Sequence, residues 1–395
     1  MLFRSMRILL PLAFILVSCA CQHAPGAAVD VPAVRFATYN SSLYTTADGG
    51  LVARLEAGDD KAASIAAVIQ HQRPDVLLLN EFDYDPAHRA AELFQRRYLE
   101  VPQHGQAAIT YRYRYLAPVN TGLPSGMDLD RNGKIAGGND AFGFGLHPGQ
   151  YGMLVLSRYP IDLASVRTFQ LFLWKDLPDA KSPVDPASGE AWYPPAVWNR
   201  LRLSSKSHWD VPVRTPAGLV HFLVHHPTPP VFDGLEDRNG IRNHDEIALW
   251  SEYISDRPAP WLCDDAGSCG GLPGAALFVI AGDHNADPFD GDSTGKPMAA
   301  LLEHPRVLRF EPPASKGADA AALRVGGGNL TQKGIAAHDT GDFGPRIGNL
   351  RLDYVIPSQG FVVRGGGVFW PMPDETGADW IGATDHHMVW MDLAR

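Results

Sequence analysis

The sequence predicts an α/β fold that presents polar side chains at the ends of apolar strands, and two observations carry that prediction. Apolar runs of strand length recur along the chain, such as Val76–Leu79 in DVLLLNEFD and Leu277–Ile280 in LFVIAGDHNADP, and each stops abruptly at Asn, Asp, Glu or His. Strand interiors avoid Asp and Asn, which compete for local backbone hydrogen bonds. Between such runs lie segments of helical period: Ala62, Ile65, Ala66 and Ile69 fall at i, i+3, i+4 and i+7.

Along the chain the elements read as follows. Arg4 and Arg7 precede an apolar run from Ile8 to Val17, too short to span a bilayer, so residues 1–18 are expected to be a signal segment. Leu16-Val17-Ser18-Cys19 resembles a bacterial lipobox, with Cys19 lipidated; Ser18-Cys19-Ala20 also fits an ordinary cleavage site. Either reading puts the mature protein outside the cytoplasm: a lipid-anchored protein of the outer membrane or periplasm, or a secreted one. Residues 19–33 read as a flexible tether and 34–395 as one folded domain.

VRFATYN is a strand from Val34 that ends at Asn40. A helix follows over Asp60–His71, stopped at Arg73-Pro74 because the residue before proline disfavours helix. The next strand ends at Asn80-Glu81. YGMLVLSRYPI (151–161) and LVHFLVHHPTPP (219–230) are further strands, the second ending at His225-His226. Ile247, Trp250 and Ile254 make one face of a second helix, and Asn243 with Glu246 suggests a capping box at its start. LFVIAGDHN, LRLDYVIPS (350–358) and ATDHHMVWMDL (383–393) complete the set. Loops 118–150 and 170–200 are long enough to expect function in them.

Composition narrows the classes. With 45% hydrophobic and 20% charged residues over 395 positions the chain can bury a large core, which excludes general disorder. The net charge of −10 leaves no basic footprint for extended nucleic-acid contacts, though an enzyme meeting phosphates through a cation stays possible. Cys263 and Cys269, close together in a Gly/Asp-rich loop with no further Cys or His nearby, read as a disulfide hairpin.

The strand ends collect Asn40, Glu81, His226, Asp283, Asn285, Asp353, Asp385 and His386. Singly, each is an ordinary turn former or cap. Together, carboxylates, amides and two histidines suit a hard divalent cation and the activation of water toward phosphorus. Asp283 and Asn285, two apart on a strand, are expected to share one face, with Gly282 permitting close approach.

The ordered series YN, NE, YGMLVLS, HHP, GDHN, LDY and TDHH resembles the endonuclease/exonuclease/phosphatase superfamily over roughly residues 34–393. The resemblance implies a four-layered α-β-β-α sandwich, two mixed sheets face to face with helices outside. It also implies a metal-dependent phosphoester hydrolase using Mg²⁺, or Mn²⁺ or Ca²⁺. By that resemblance Glu81, with Asn40 and Asp385, holds the metal. His226 bonds the phosphate and can protonate the leaving oxygen. Asp283 orients or deprotonates the attacking water, and Asn285 holds a phosphoryl oxygen. Asp353 supports the histidine, while Asp385 fixes the tautomer of His386, which contacts the scissile phosphate. Here Asn80-Glu81 stands where the family usually has Gln-Glu, and His284, His225 and His387 are expected to face away from the site.

In DLDRNGKIAGGND, Asp128, Asp130 and Asn132 stand at positions 1, 3 and 5, with Gly133 at 6, like the start of a calcium loop. Position 12 is Asn139 rather than Glu, with Asp140 one residue later. Structural Ca²⁺ and a plain turn cluster both fit. Arg238 and Arg242 could clamp a phosphate or form salt bridges, and Trp192, Trp198 and Trp209 could stack on a substrate or bury a flap. The substrate is a small phosphoester or a nucleic acid, and the protein is expected to be a monomer. A lipid phosphodiester would need an exposed apolar hairpin, for which FQLFLW (169–174), more simply a buried strand, is the one candidate. A non-catalytic surface binding protein that keeps the fold is the alternative.

Overall fold

The computed structural model describes residues 1–2 and 32–395. The signal segment, most of the tether, and Cys19 with its expected lipid lie outside the described residues.

The strands, in chain order, are β1 (Val34–Leu43), β2 (Val76–Phe82), β3 (Tyr113–Tyr115), β4 (Met153–Ser157), β5 (Arg167–Thr168), β6 (His208–Thr215) and β7 (Gly218–His225). There follow β8 (Leu277–Asp283), β9 (Gly341–Asp342), β10 (Asn349–Leu350), β11 (Asp353–Pro357), β12 (Val362–Val368) and β13 (Val389–Ala394). One sheet has the order β12-β13-β1-β2-β4-β3 and the other β11-β8-β7-β6-β5, with β9 and β10 forming a small ribbon. Each sheet contains one parallel pair, β1 with β2 and β7 with β8, and its remaining pairs are antiparallel.

The parallel pairs explain where the polar strand ends meet. A parallel connection needs a crossover, usually helical. Between β1 and β2 it is α1 (Gly50–Ala57) and α2 (Asp60–Gln72); α3 (Arg89–Phe94) follows β2, and α4 (Pro195–Trp198) lies in the long loop before β6. Between β7 and β8 the crossover is α5 (Arg238–Tyr253). Two strands running the same way deliver their carboxyl ends to one edge. Asn40 accordingly pairs with Asn80, and the antiparallel β11 begins at Asp353 opposite Asp283, where β8 ends.

Strand alternation sorts the apolar side chains into three layers. Phe36, Val76 and Leu78 from one sheet meet Trp209, Val211, Phe222 and Val279 from the other. On the outer side of the first sheet, Ala37, Tyr39, Leu77 and Leu79 pack on Ile65, Val68 and Ile69 of α2 and Phe94 of α3. On the outer side of the second, Leu223, Phe278 and Ile280 pack on Ile247, Leu249 and Trp250 of α5 and on Met298 and Leu301 of α6 (Pro297–Leu302). Each such side chain contributes about 1.5–3 kcal/mol on burial. The architecture is therefore the expected pair of mixed sheets, face to face, with helices around them.

Helix α2 forms as its period predicts: Asp59 caps its first turn by accepting from the amides of Lys61 and Ala62, and Arg73 turns left-handed (φ 51°) before Pro74. Helix α5 departs from expectation. It begins at Arg238, so Asn243 and Glu246 lie inside it rather than at its start. Tertiary partners claim both side chains. Asn243 Nδ2 donates to the carbonyls of Thr228 and His284, and the Glu246 carboxylate accepts from the amides of Ser205 and Thr228. FQLFLW is not a strand beyond Thr168, nor an exposed hairpin: Phe169, Phe172 and Trp174 are buried in the outer core. Cys263 and Cys269 form the expected disulfide. Among the described residues no helix is long and apolar enough to cross a membrane.

Candidate active site

A cavity of about 820 Å³ opens over the shared strand edge, its wall including Glu81, His226, Asp283, Asn285, Asp385 and His386. Asn40 and Asp353 stand one layer behind that wall.

Asp283, the last residue of β8, is the hub. Its Oδ2 lies 3.0 Å from Asn40 Nδ2, 3.4 Å from His226 Nε2 and 3.6 Å from His386 Nε2. Burial alone would raise its pKa, but His386, His226 and Asn40 outweigh burial and hold the carboxyl well below the usual range. Asn80 fixes the β8 backbone from the other sheet: its Oδ1 accepts from the Asp283 amide at 3.1 Å while its Nδ2 donates to the His225 carbonyl at 3.3 Å. The shorter Asn in place of the family's Gln thus ties β2 to β7 and β8. Gly282 permits the close approach expected of it, since a Cβ there would lie 2.2 Å from the His225 carbonyl oxygen.

Asn285 reaches the cavity by a different route from the one alternation suggests. The strand stops at Asp283, and Asn285 takes a left-handed turn (φ 51°), a conformation Asn tolerates. Its amide is anchored twice, the backbone N–H to Asp283 Oδ1 at 2.8 Å and Nδ2 to the Pro227 carbonyl at 3.1 Å.

His386 precedes β13 rather than lying on it. Its Nδ1 meets Asp353 Oδ2 at 2.8 Å, so the carboxylate that fixes this ring is Asp353 and not, as expected, Asp385, whose side chain takes only the Thr384 hydroxyl among the described residues. Burial would lower the imidazolium pKa, yet Asp353, Asp283 and Asp385 together hold it well above its ordinary value. Burial pushes Asp353 up to about 6, against the pull of His386 in the other direction. Thr340, unmarked in the sequence, fixes Asp353: its hydroxyl donates to Asp353 Oδ2 at 2.8 Å and accepts from the Leu352 and Asp353 amides at 3.0 Å. His226 has the opposite character. Burial and Lys206 pull its pKa down, so it is neutral, and its Nδ1 has no partner.

Glu81 and Asp385 form another corner of the cavity. Burial raises the Tyr44 pKa and both carboxylates add to it, whereas burial and Arg54 lower the Lys61 pKa against the pull of the same two carboxylates. Glu81 holds a left-handed backbone (φ 56°), a strained conformation that persists where the surroundings over-determine it and clusters at functional sites. The donors at this corner fit a hard cation. The carboxylates of Glu81 and Asp385 each take a single long hydroxyl contact of 3.4 Å, from Ser42 and Thr384, and no Lys or Arg pairs with either among the described residues. Asn40 is less available as a ligand: its Nδ2 serves Asp283 and its Oδ1 accepts from the Ser42 amide. Asp283, Asp353 and His386 also bring ligand atoms within 4.8 Å of one another, although His386 and Asp353 already bond each other.

The neighbouring histidines face away, as expected. His284 and His225 pack together behind the sheet with ring centroids 4.4 Å apart, and His387 stacks on Trp370 at 3.7 Å. Arg238 lines the cavity but pairs with Glu236, and Arg242 is tied to the carbonyls of Leu203, Phe142 and Arg202. Trp192 and Trp198 pack within the loop layer and Trp209 in the core between the sheets, so none is an open stacking platform. Tyr44 and Tyr151, which sequence reasoning missed, line the cavity as an aromatic pair 4.5 Å apart. In the 128–140 loop Asp128, Asp130 and Asp140 bring carboxylate oxygens within 4.8 Å of one another, Asp140 joining as the substitute expected for position 12, while Asn132 Nδ2 donates to Asp130 Oδ2 at 2.9 Å. Those oxygens bond the loop's own amides, and Leu129 and Asn139 line the cavity.

The model of the endonuclease/exonuclease/phosphatase family matches residues 37–386. The chain belongs to that family. Its members are metal-dependent phosphoester hydrolases. Among solved structures, an endonuclease/exonuclease/phosphatase from Beutenbergia cavernae DSM 12333 is similar over 92% of this chain and 72% of its own, at 19% identity and a TM-score of 0.50. Sphingomyelinase C from Streptomyces griseocarneus is similar over 92% of this chain and 100% of its own, at 16% and 0.46. The human Nocturnin catalytic domain is similar over 93% and 95%, at 13% and 0.44. No curated protein matches the chain.

Proposed function

We propose that the protein is a divalent-metal-dependent hydrolase of a small, soluble phosphoester, working outside the cytoplasm. One observation carries the reading: Asp283 Oδ2 lies within 3.6 Å of both His226 Nε2 and His386 Nε2, on the wall of a cavity that also bears Glu81 and Asp385.

In this reading water attacks phosphorus in line with the leaving oxygen. Asp283, held ionised, orients that water and receives its proton as the new P–O bond forms. The amide of Asn285 and the neutral ring of His226 bond phosphoryl oxygens. His386, held protonated by Asp353 and Asp283, faces the developing charge and is the better donor for the departing oxygen. A cation at Glu81 and Asp385 would supply positive charge at the phosphoryl group when bound. Mg²⁺ suits these oxygen donors, as do Mn²⁺ and Ca²⁺.

A small substrate is supported by the shape and lining of the site. About 820 Å³ is the size of a small-molecule pocket. Tyr44, Tyr151, Phe144 and Phe343 give it apolar walls, and the net charge of −10 offers nothing to a long polyanion. Location outside the cytoplasm is supported by the Cys263–Cys269 disulfide and the N-terminal sequence, with membrane attachment through a lipid on Cys19.

The test is a hydrolysis panel on the full chain with Mg²⁺, Mn²⁺, Ca²⁺ or EDTA, offering plasmid DNA, RNA, a phosphomonoester, a phosphodiester, phytate and sphingomyelin. Metal-dependent turnover is expected, fastest on a soluble small phosphoester. Preference for plasmid DNA or sphingomyelin would overturn the substrate class. Failure on every member by folded protein would favour the binding-protein alternative.

A further inference from the structure

We propose that Lys206 is a further catalytic residue, whose ammonium group binds a phosphoryl oxygen beside Asn285 and carries charge that develops there during transfer. The inference rests on the phosphoesterase reading above.

Lysine is almost never fully buried unless paired, because an ammonium group loses its hydration on burial. Lys206 is 6% exposed. Among the described residues no carboxylate lies within ion-pair distance of it, and its one hydrogen bond is a long 3.5 Å contact from Nζ to the Pro227 carbonyl. An ammonium has three donors, so most of this one's capacity is unused. If packing were its only task, an apolar side chain of similar volume would serve with no charge to desolvate.

Lys206 lines the cavity together with His226, Asp283 and Asn285. The Pro227 oxygen that accepts from Nζ also accepts from Asn285 Nδ2 at 3.1 Å, so amide and ammonium flank one atom. A phosphoryl oxygen held by Asn285 therefore comes within reach of Lys206. Thr228, the next residue, adds a buried hydroxyl with no partner on the same wall.

The backbone beneath Lys206 is rigid. The Ser205 amide donates to Glu246 at 2.5 Å, the Ser205 hydroxyl to the His226 carbonyl at 3.3 Å, and the Asn120 amide to the Lys206 carbonyl at 2.9 Å. Such preorganised positive charge in a water-poor site is worth more than the same charge in water. Burial lowers the Lys206 pKa while Glu246, Glu81 and Asp283 draw it back up. Lys206 exchanges no proton: it donates hydrogen bonds while the water–phosphorus bond forms and the bond to the leaving oxygen breaks.

Lys206→Met and Lys206→Arg in the full chain test this with two readouts. The first is inorganic phosphate binding in EDTA by calorimetry, which needs no turnover. Lys206→Met is expected to weaken it about tenfold or more, the loss of a hydrogen bond to a charged group. The second is Mg²⁺-dependent hydrolysis of the best panel substrate, where kcat should fall about 10²–10³-fold with less change in KM. Tm should stay level or rise in Lys206→Met, and Lys206→Arg should restore part of both functions. Phosphate affinity and kcat within twofold of the parent in Lys206→Met would overturn the proposal. So would a loss of both accompanied by a lower Tm and no rescue by arginine, the signature of a structural lysine. If the parent chain hydrolyses nothing in the panel, the phosphoesterase reading falls; the phosphate titration still decides whether Lys206 binds an oxyanion.

Discussion

His225 and His226 are neighbours in sequence with opposite surroundings. His225 ends β7 on the helix side of its sheet, where its Nδ1 meets His208 Nε2 at 3.1 Å and its ring packs on His284 and Trp250. His226 turns to the other side, with Nε2 at 3.4 Å from the Asp283 carboxylate and the cavity before it. His386 and His387 repeat the division: the first lies between two carboxylates, the second is stacked on Trp370. Burial lowers the pKa of all four, and only His386, between Asp353 and Asp283, is raised against it. Being a histidine near the site confers no role; the carboxylates it meets do.

The sharpest way to break this comparison is to delete each neighbour in turn. His226→Ala should reduce kcat about 10²–10⁴-fold, the range of a lost acid–base or phosphate-binding group, with Tm little changed. His225→Ala should do the reverse, costing about 2–4 kcal/mol of stability as a core truncation while turnover of the folded protein falls only a few-fold. Equal activity losses in both variants would contradict the division into two faces.

A smaller effect separates buried acids inside and outside the site. Burial, with Asp287 and Asp290 nearby, pushes Asp339 up to about 8, whereas Asp283 is held low. Between the ordinary carboxylate pKa and about 8 the unfolded chain has lost this proton and the native protein keeps it. Stability from this group therefore falls as pH rises through that window. Asp339→Asn should match the parent's Tm near pH 4 and exceed it by about 2–4 °C near pH 8.5, read by thermal denaturation. A constant difference at both pH values would contradict this.

Much of the fold was legible because apolar runs and helical spacing are local signals. Val76–Leu79, Leu277–Ile280 and the α2 face all lie where their patterns predict. The polar residues that line or back the cavity were legible as interruptions of those runs. What sequence could not convey was contact between distant segments. Asn243 and Glu246 read as a cap because their partners, Thr228, His284 and Ser205, come from other elements. Thr340 lies 13 residues from Asp353, and nothing in its own neighbourhood marks it. Lys206 had one faint signal, a lone cation in LSSKSHWDVPV just before a strand, and its meaning depends on a burial that spacing does not encode. Asn285 was placed correctly at the cavity for the wrong reason, since a left-handed turn rather than strand alternation brings it there.

The central claim is that Asp283 and His386 act on a phosphoester with a cation held beside them. It is tested most directly by turnover of the best small phosphoester by the full chain, its Asp283→Asn variant and its His386→Ala variant, each with Mg²⁺ and with EDTA. The account predicts turnover by the parent that EDTA abolishes and added Mg²⁺ restores, and a loss of about 10³-fold or more in each variant with Tm preserved. Undiminished turnover in EDTA, or in both variants with Mg²⁺, would contradict it.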